Sequence, residues 1–493
     1  MTFVSIYFFI FILVLAILYF CIPKNWRWIV LLLGSAVFYA LGGMEILAMV
    51  LVTTLIAYIA GILIERTEVA DRKKRRLFLS IAIVIIAGFL VFTKCYSLAG
   101  WNISYFVIPV GISYYTFSII SYLADIYWKR DQAEKNYFKL ALFVLYFPKV
   151  LQGPISRHKQ LGPQLTEGHS FDYTNMCYGV QLMLWGYFKK MVIADRVAIV
   201  TGTILGDYTS YGGAVLLTGV VLASVQLYCD FSGYMDIARG VSQIFGINLD
   251  ENFNHPFFSK SAAEFWRRWH ITLGTWFKDY IYMPLVISPC MIKASAWFKK
   301  RCGNRVAKAV MAVVPLSVVW ILTGLWHGTG IPYLVWGIYW GLLIIISTVF
   351  APEIKKLNQF LHINTKSTSW ARFQMVRTFL LFCFGRLLTV PGDLKVSWNI
   401  LKTMVTSANI WQLADGTLYN LGLDTANFNL MTISVGVLWG VSILQKNGSL
   451  RKRISHWNLV FRWGFYVVAF VSVMLFGVYG SEYDASAFVY MNY

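Results

Sequence analysis

Charge is what this 493-residue chain has least of: Asp, Glu, Lys and Arg together make up 13% of it, and only 23 residues are acidic. With 58% hydrophobic residues and a mean hydropathy of +0.60, that scarcity excludes an ordinary soluble domain. The seven cysteines stand singly at 21, 95, 177, 229, 290, 302 and 383, with no CxxC pair, so no disulfide framework is expected. HExxH and His/Cys clusters are also missing, and no metal site is expected. No internal repeat or low-complexity linker breaks the chain, which reads as a single membrane domain over 1–493. Histidines number only seven, leaving few candidates for proton transfer near neutral pH.

Apolar sequence is what the chain has in abundance. Runs approaching the roughly 20 residues that cross a bilayer recur at 3–22, 28–41, 44–64, 77–97, 105–124, 176–199, 213–229, 309–325, 331–351, 370–391, 429–445 and 458–479. They predict an all-α integral membrane protein, a multi-span bundle of about twelve helices. The first run is flanked by Pro23 and Lys24 without a small-residue cleavage site, so a retained span is expected. The net charge of +20 sits in short clusters between runs rather than on one face, which speaks for topology and against nucleic acid. Placing Lys24/Arg27, Arg72 to Arg76, Lys129/Arg130, Lys299 to Lys308, Lys355/Lys356 and Lys446 to Arg453 inside predicts a multi-pass cell-membrane protein with both termini outside. "DRKKRR" then reads as a solvated topogenic loop.

Between about 230 and 305 charged and apolar residues interleave, and Pro256, Pro284 and Pro289 interrupt them. This pattern predicts interfacial and re-entrant helices on the cytoplasmic side, with irregular backbone covered by protein. Within it, "SAAEFWRRWHITLGTWFKDY" opens with the Ser261/Glu264 spacing of a capping box. Continued as one helix, it aligns Phe265, Trp266, Trp269, Leu273, Trp276, Phe277 and Tyr280 in a stripe, with His270 at its border and Arg267, Arg268, Lys278 and Asp279 elsewhere. Its aromatics suit lipid or protein and its arginines the phosphate level; a plain interfacial helix with a satisfied His270 fits the pattern equally well.

Other polar groups stand near apolar runs. "QLYCDFSGYMDIARG" places Asp230, Asp236 and Arg239 close to the end of one, where an Asp236–Arg239 pair one turn apart is expected. In "FPKVLQGPISRHKQLGPQL" the run 138–147 is too brief to span, and the prolines after it predict a re-entrant hairpin. Ser156 and Lys159 have the spacing of a Ser/Lys nucleophile pair, a match common by chance. In "WILTGLWHGTGIPYLVWGIYWG", His327 falls at the edge of the break between two apolar runs. There it either satisfies carbonyls at a helix end or serves as a general base whose apolar walls favour the neutral imidazole.

Four of these segments together carry a resemblance. "FPKVLQGPISR", "YCDFSGYMDIARG", "EFWRRWHITLGTWFKDYIYMPL" and "LTGLWHGTG", in that order over 147–330, resemble the membrane-bound O-acyltransferase family, nearest its bacterial alginate and polysaccharide O-acetyltransferase type, with the teichoic acid D-alanyltransferase type as neighbour. "MPLVISPC" departs from the "PLGGNR"-like continuation of the alginate type, which bears on the polymer served. The resemblance implies a central tunnel, with His327 as the catalytic histidine on the floor of an outward-facing funnel. It implies that His270, Trp266, Arg267, Arg268 and Trp269 shape the cytoplasmic half. On that reading no cofactor is bound. The donor is an acyl thioester, acetyl-CoA or an acyl carrier protein, met at its phosphates by Arg267, Arg268 and Lys278. Trp326, or the backbone of Gly328-Thr329-Gly330, would meet the oxyanion, and Asp230 and Asp236 would line the tunnel.

The implied activity is outward transfer of an acetyl group to a hydroxyl of a cell-surface polysaccharide, or to an extracellular SGNH-type esterase or transferase partner. D-Alanyl transfer to teichoic acid is an alternative; a transporter or lipid flippase is another, whose expected paired half-repeats are not found. The tail "SEYDASAFVYMNY", 481–493, reads as outer interfacial aromatics. Its Phe488-Val-Tyr490 core also resembles a terminal motif of this acyltransferase branch, which would make Tyr490 an acyl relay.

Overall fold

The computed structural model describes residues 2–95, 111–328, 330–446 and 448–479. Tyr490 and the rest of the tail, Thr329, and the first residues of the expected span 105–124 lie outside the described residues. Among the described residues all regular structure is helical, with one isolated bridge between Phe253 and Trp269.

Among the described residues seven helices are long and apolar enough to cross a membrane: Met44–Arg66, Arg72–Cys95, Gly213–Ile244, Pro289–His327, Ile331–Val349, Thr425–Gln445 and Leu459–Phe476. Each overlaps one of the expected runs. The other runs fall short of those limits. Ile6–Cys21 and Ile112–Tyr127 have 16 residues and Arg27–Ala40 has 14. At a rise of about 1.5 Å per residue these reach roughly 21–24 Å, against a hydrocarbon core of about 30 Å. The run 176–199 divides into Tyr173–Tyr187, a π-helical turn Phe188–Ala194 and Asp195–Gly206.

Contacts divide the chain into two compact units. The first comprises Met1–Lys190, Phe231–Glu251 and Arg451–Asn492. Its interior holds the nine-residue helix Tyr137–Leu145, capped by Asn136, and the turn Phe147–Lys149; residues 140–150 are all buried. A helix this short and this enclosed has the dimensions of the expected re-entrant hairpin. Ser156 is buried and donates to the Pro154 carbonyl, whereas Lys159 is exposed, so the two do not form a nucleophile pair.

Two glycine pairs spaced by seven residues let Tyr173–Tyr187 cross the C-terminal half of Gly213–Ile244 backbone to backbone. A Cβ on Gly186 would lie 2.6 Å from the Gly233 carbonyl, and one on Gly179 2.6 Å from that of Gly240. Beside this crossing Lys189 Nζ donates to Asp236 Oδ2 at 2.7 Å and to Ser232 Oγ at 2.9 Å. Arg239 instead takes Glu251 at 2.8 Å and stays 3.8 Å from Asp236. The expected Asp236–Arg239 pair is therefore the weaker contact, because the close crossing delivers a buried ammonium that helical spacing does not reveal.

Asp71, Arg72, Lys73, Lys74 and Arg76 of "DRKKRR" are exposed, as expected of a solvated loop, and one residue departs from that. Arg75 of "DRKKRR" is buried and donates to the carbonyls of Ile64, Ile126 and Tyr127. Arg27 does the same for Ile22, Phe20 and His169. Both guanidiniums cap helix C-termini, where carbonyls lack partners and the helix dipole favours a cation.

The second unit comprises Met191–Asp230 and Asn252–Leu450, and contains both tryptophan-flanked histidines. Its framework is the hairpin of Pro289–His327 and Ile331–Val349 together with Thr368–Leu387. The first of these helices is kinked at Gly303, whose φ of 86° is left-handed.

A candidate active site walled by tryptophans

His327 is the last residue of its helix, and the next begins at Ile331. Three glycines close the hairpin: a Cβ on Gly324 would lie 2.6 Å from the Tyr333 carbonyl, one on Gly337 2.5 Å from that of Trp320, and one on Gly341 3.0 Å from the Trp320 side chain. Tyr333 lies over Gly328, where a Cβ would be 2.2 Å from its ring. Contact this close brings Trp336 of the second helix to 4.8 Å from the His327 ring, with Trp326 at 4.6 Å on another side. His327 is 7% exposed.

His270 reaches the same place from a different element. Helix Ala262–Arg268 starts on Ser261, whose hydroxyl accepts from the Glu264 amide at 3.2 Å, as a capping box requires. The returning bond goes from Lys260 N–H to Glu264 Oε2, one residue earlier than the motif predicts. The helix then ends. His270 has a left-handed backbone, φ 48° and ψ 52°, and a second helix, Ile271–Phe277, runs into the π-helical turn Lys278–Tyr282. The single continuous helix expected here is thus broken at Trp269–His270.

The break has a cause outside the segment. Asn252, 1% exposed, accepts at its carbonyl from Ile271 N–H and at Oδ1 from Thr272 N–H (2.9 Å) and Thr272 O–H (2.7 Å). Asn254 N–H donates to the Arg268 carbonyl, and Phe253 bridges Trp269. Helical hydrogen bonds around His270 are replaced by bonds to 252–254.

The two histidines meet through one ring: His270 lies 5.9 Å from Trp326, which lies 4.6 Å from His327. Trp266 completes the wall, 5.1 Å from Trp320, 5.5 Å from Trp336 and 5.1 Å from Trp340. Its buried indole N–H has no hydrogen-bond acceptor among the described residues. Behind it, Phe265 and Trp269 pack on Phe382, so this aromatic stripe is covered by protein. His270 is 1% exposed, and burial pushes its imidazole down to about 3. It is therefore neutral at physiological pH.

The expected charged residues are less concentrated. Arg268 pairs with Glu264 at 2.8 Å, one turn back, while Arg267 and Lys278 are exposed. Asp230 is buried in the second unit, and Asp236 belongs to the first, held by Lys189. Among the described residues no group of three or more His, Cys, Asp or Glu is placed to hold a metal. Sequence reading overlooked Trp320, Trp336 and Trp340, although Trp336 and Trp340, four residues apart, share a helix face. It also overlooked Asn252, for which no local signal exists.

An all-helical protein whose described residues include seven helices of spanning length belongs to the class of integral membrane proteins, and its two tryptophan-flanked histidines are both buried. The comparisons narrow that class. A sequence profile of the membrane-bound O-acyltransferase family matches residues 132–294. Probable alginate O-acetylase AlgI of Pseudomonas fluorescens is 31% identical over 425 residues, 86% of this chain and 79% of the relative. Peptidoglycan O-acetyltransferase of Helicobacter pylori is 31% identical over 68% of this chain and 66% of its own length. Teichoic acid D-alanyltransferase of Bacillus subtilis is 31% identical over 56% of this chain and 67% of its own. The chain belongs to the membrane-bound O-acyltransferase family and is an acyltransferase.

Proposed function

We propose that this protein moves an acetyl group from a cytoplasmic thioester, acetyl-CoA or an acyl carrier protein, to a hydroxyl on the outer side of the membrane. The observation that carries this reading is the convergence of His327, Trp326 and His270 in one aromatic cluster. His327 takes the proton of the acceptor hydroxyl as its oxygen attacks the thioester carbonyl. The C–O bond forms, the C–S bond breaks, and the thiolate leaves with a proton returned by the imidazole. His270, neutral and buried, positions the donor carbonyl. The Trp266 indole N–H, buried with no acceptor among the described residues, is suited to meet the developing oxyanion alongside Trp326. Arg267 and Lys278, both exposed, attract donor phosphates at the cytoplasmic mouth, with Arg268 tied to Glu264.

Acetyl is favoured over D-alanyl because the alginate O-acetylase is similar over 86% of the chain and the D-alanyltransferase over 56%. The acceptor is a cell-surface polysaccharide, reached directly or through an extracellular SGNH-type partner. Both termini lie outside. In the relayed form Tyr490 takes the acyl group as an aryl ester, whose phenolate, with a pKa near 10, leaves more readily than an alkoxide.

Mass spectrometry of alkali-released acyl groups from extracytoplasmic polymers, with and without the protein, tests this. Loss of acetate on deletion supports the reading, loss of D-alanine selects the alternative, and no change rejects both. Tyr490→Phe separates the routes: undiminished polymer acylation eliminates the relay.

A further inference from the structure

The backbone of His270 is held from outside its own segment, and this bears on how the site works. A left-handed conformation at a non-glycine residue costs free energy and persists only where its surroundings over-determine it. Here they do. Ile271 N–H and both donors of Thr272 converge on Asn252, while Asn254 and Phe253 bind the residues before the histidine. The segment 252–254 thus grips the chain on both sides of position 270. On the side-chain face, the Trp326 ring lies 5.9 Å from the His270 ring.

We infer that Asn252 is the positioning residue of the second histidine: it fixes the left-handed turn that aims the His270 ring at Trp326, and acts on acyl transfer only through His270. Asn suits the task because one side-chain oxygen accepts two hydrogen bonds without placing a charge in a buried site. Leucine, with the same branching and number of side-chain heavy atoms, accepts none. Without the clamp, residues 262–277 are free to join into the continuous helix that their spacing favours, which turns position 270 away from the cluster.

The inference rests on the site described under the proposed function, and the experiment separates the two. Cells carrying His270→Ala, Asn252→Leu or the double variant, matched for membrane-inserted protein, are compared by acyl ester on extracytoplasmic polymer. His270→Ala is read first: normal ester levels there reject His270 as a donor-positioning group, whatever Asn252 does. With that loss established, Asn252→Leu is expected to lower ester about 10- to 100-fold, the scale of an ångström-sized misplacement. The double variant is expected to be no worse than His270→Ala. Losses that multiply, or a normal Asn252→Leu, overturn the clamp while the site stands.

A conservative variant supplies the second readout. Thr272→Ser, keeping the hydroxyl, is expected to restore most of the transfer that Thr272→Val loses. A Thr272→Val protein with full transfer, or a Thr272→Ser protein as poor as Thr272→Val, overturns the proposal even if Asn252→Leu fails to insert.

Discussion

The two histidines are brought to one tryptophan by opposite means. His327 is placed by neighbours in sequence: it ends a helix, and glycines at 324, 337 and 341 let the returning helix set Trp336 against its ring. His270 is placed by residues about twenty positions away, through bonds that override the helix its own segment favours. A site half built by local pattern and half by remote hydrogen bonds fails differently on each side, and the following tests exploit that.

The largest effect is expected at His327. On the proposed mechanism His327→Ala removes the general base, and transfer should fall about 10²- to 10⁴-fold while insertion and thermal stability in detergent stay near wild type. Retention of near-normal transfer would show that the locally built histidine is not the base. Next comes the hairpin that carries it. Gly337→Val puts side-chain atoms against the Trp320 carbonyl, already 2.5 Å from a Cβ, and should destabilise the protein by about 1–3 kcal/mol as overpacking does. A melting temperature unchanged from wild type would mean the glycine seam is dispensable.

The remotely built histidine gives a pH signature. Its imidazole is held at about 3 when folded, against about 6.5 in an unfolded chain. Above 6.5 it is neutral in both states and stability is unaffected. Below that, the unfolded chain takes a proton that the folded one refuses, so stability declines from about pH 6.5 down to about 3, by roughly 1.4 kcal/mol per unit at most. His270→Phe should flatten the fall in melting temperature between pH 6.5 and 4.5; equal slopes would mean that the ring is not shielded. The smallest effect belongs to the partly exposed Arg268–Glu264 pair, where Arg268→Gln should cost no more than about 0.5 kcal/mol. A loss of several kcal/mol would make that pair a support of the His270 turn.

Much of this architecture was legible in the chain. Seven of the apolar runs became helices of spanning length, the short run before "FPKVLQGP" became a buried helix too brief to cross, and Ser261 capped the helix it was expected to start. His270 and His327 stood out by their tryptophan neighbours, and the structure brings them to a shared one. Helical spacing found the Asp236–Arg239 contact and charge count the exposed residues of "DRKKRR", but both report only on the local chain and leave out distant partners. Lys189 reaches Asp236 through a glycine crossing, and Arg75 reaches carbonyls of two other helices.

By itself the sequence determined that the protein lives in a bilayer and is helical. Hydrophobicity, helical periodicity and residue type are properties of the chain, and lipid enforces them by leaving backbone no partner but itself. Tertiary structure alone decided that the segment 261–280 breaks at His270, that Asn252 holds the break, and that Trp326 and Trp336 stand against His327. The reason is energetic. Buried polar groups must find hydrogen bonds wherever the fold supplies them, and a partner about twenty residues away outweighs the preference of seven residues for continuing a helix.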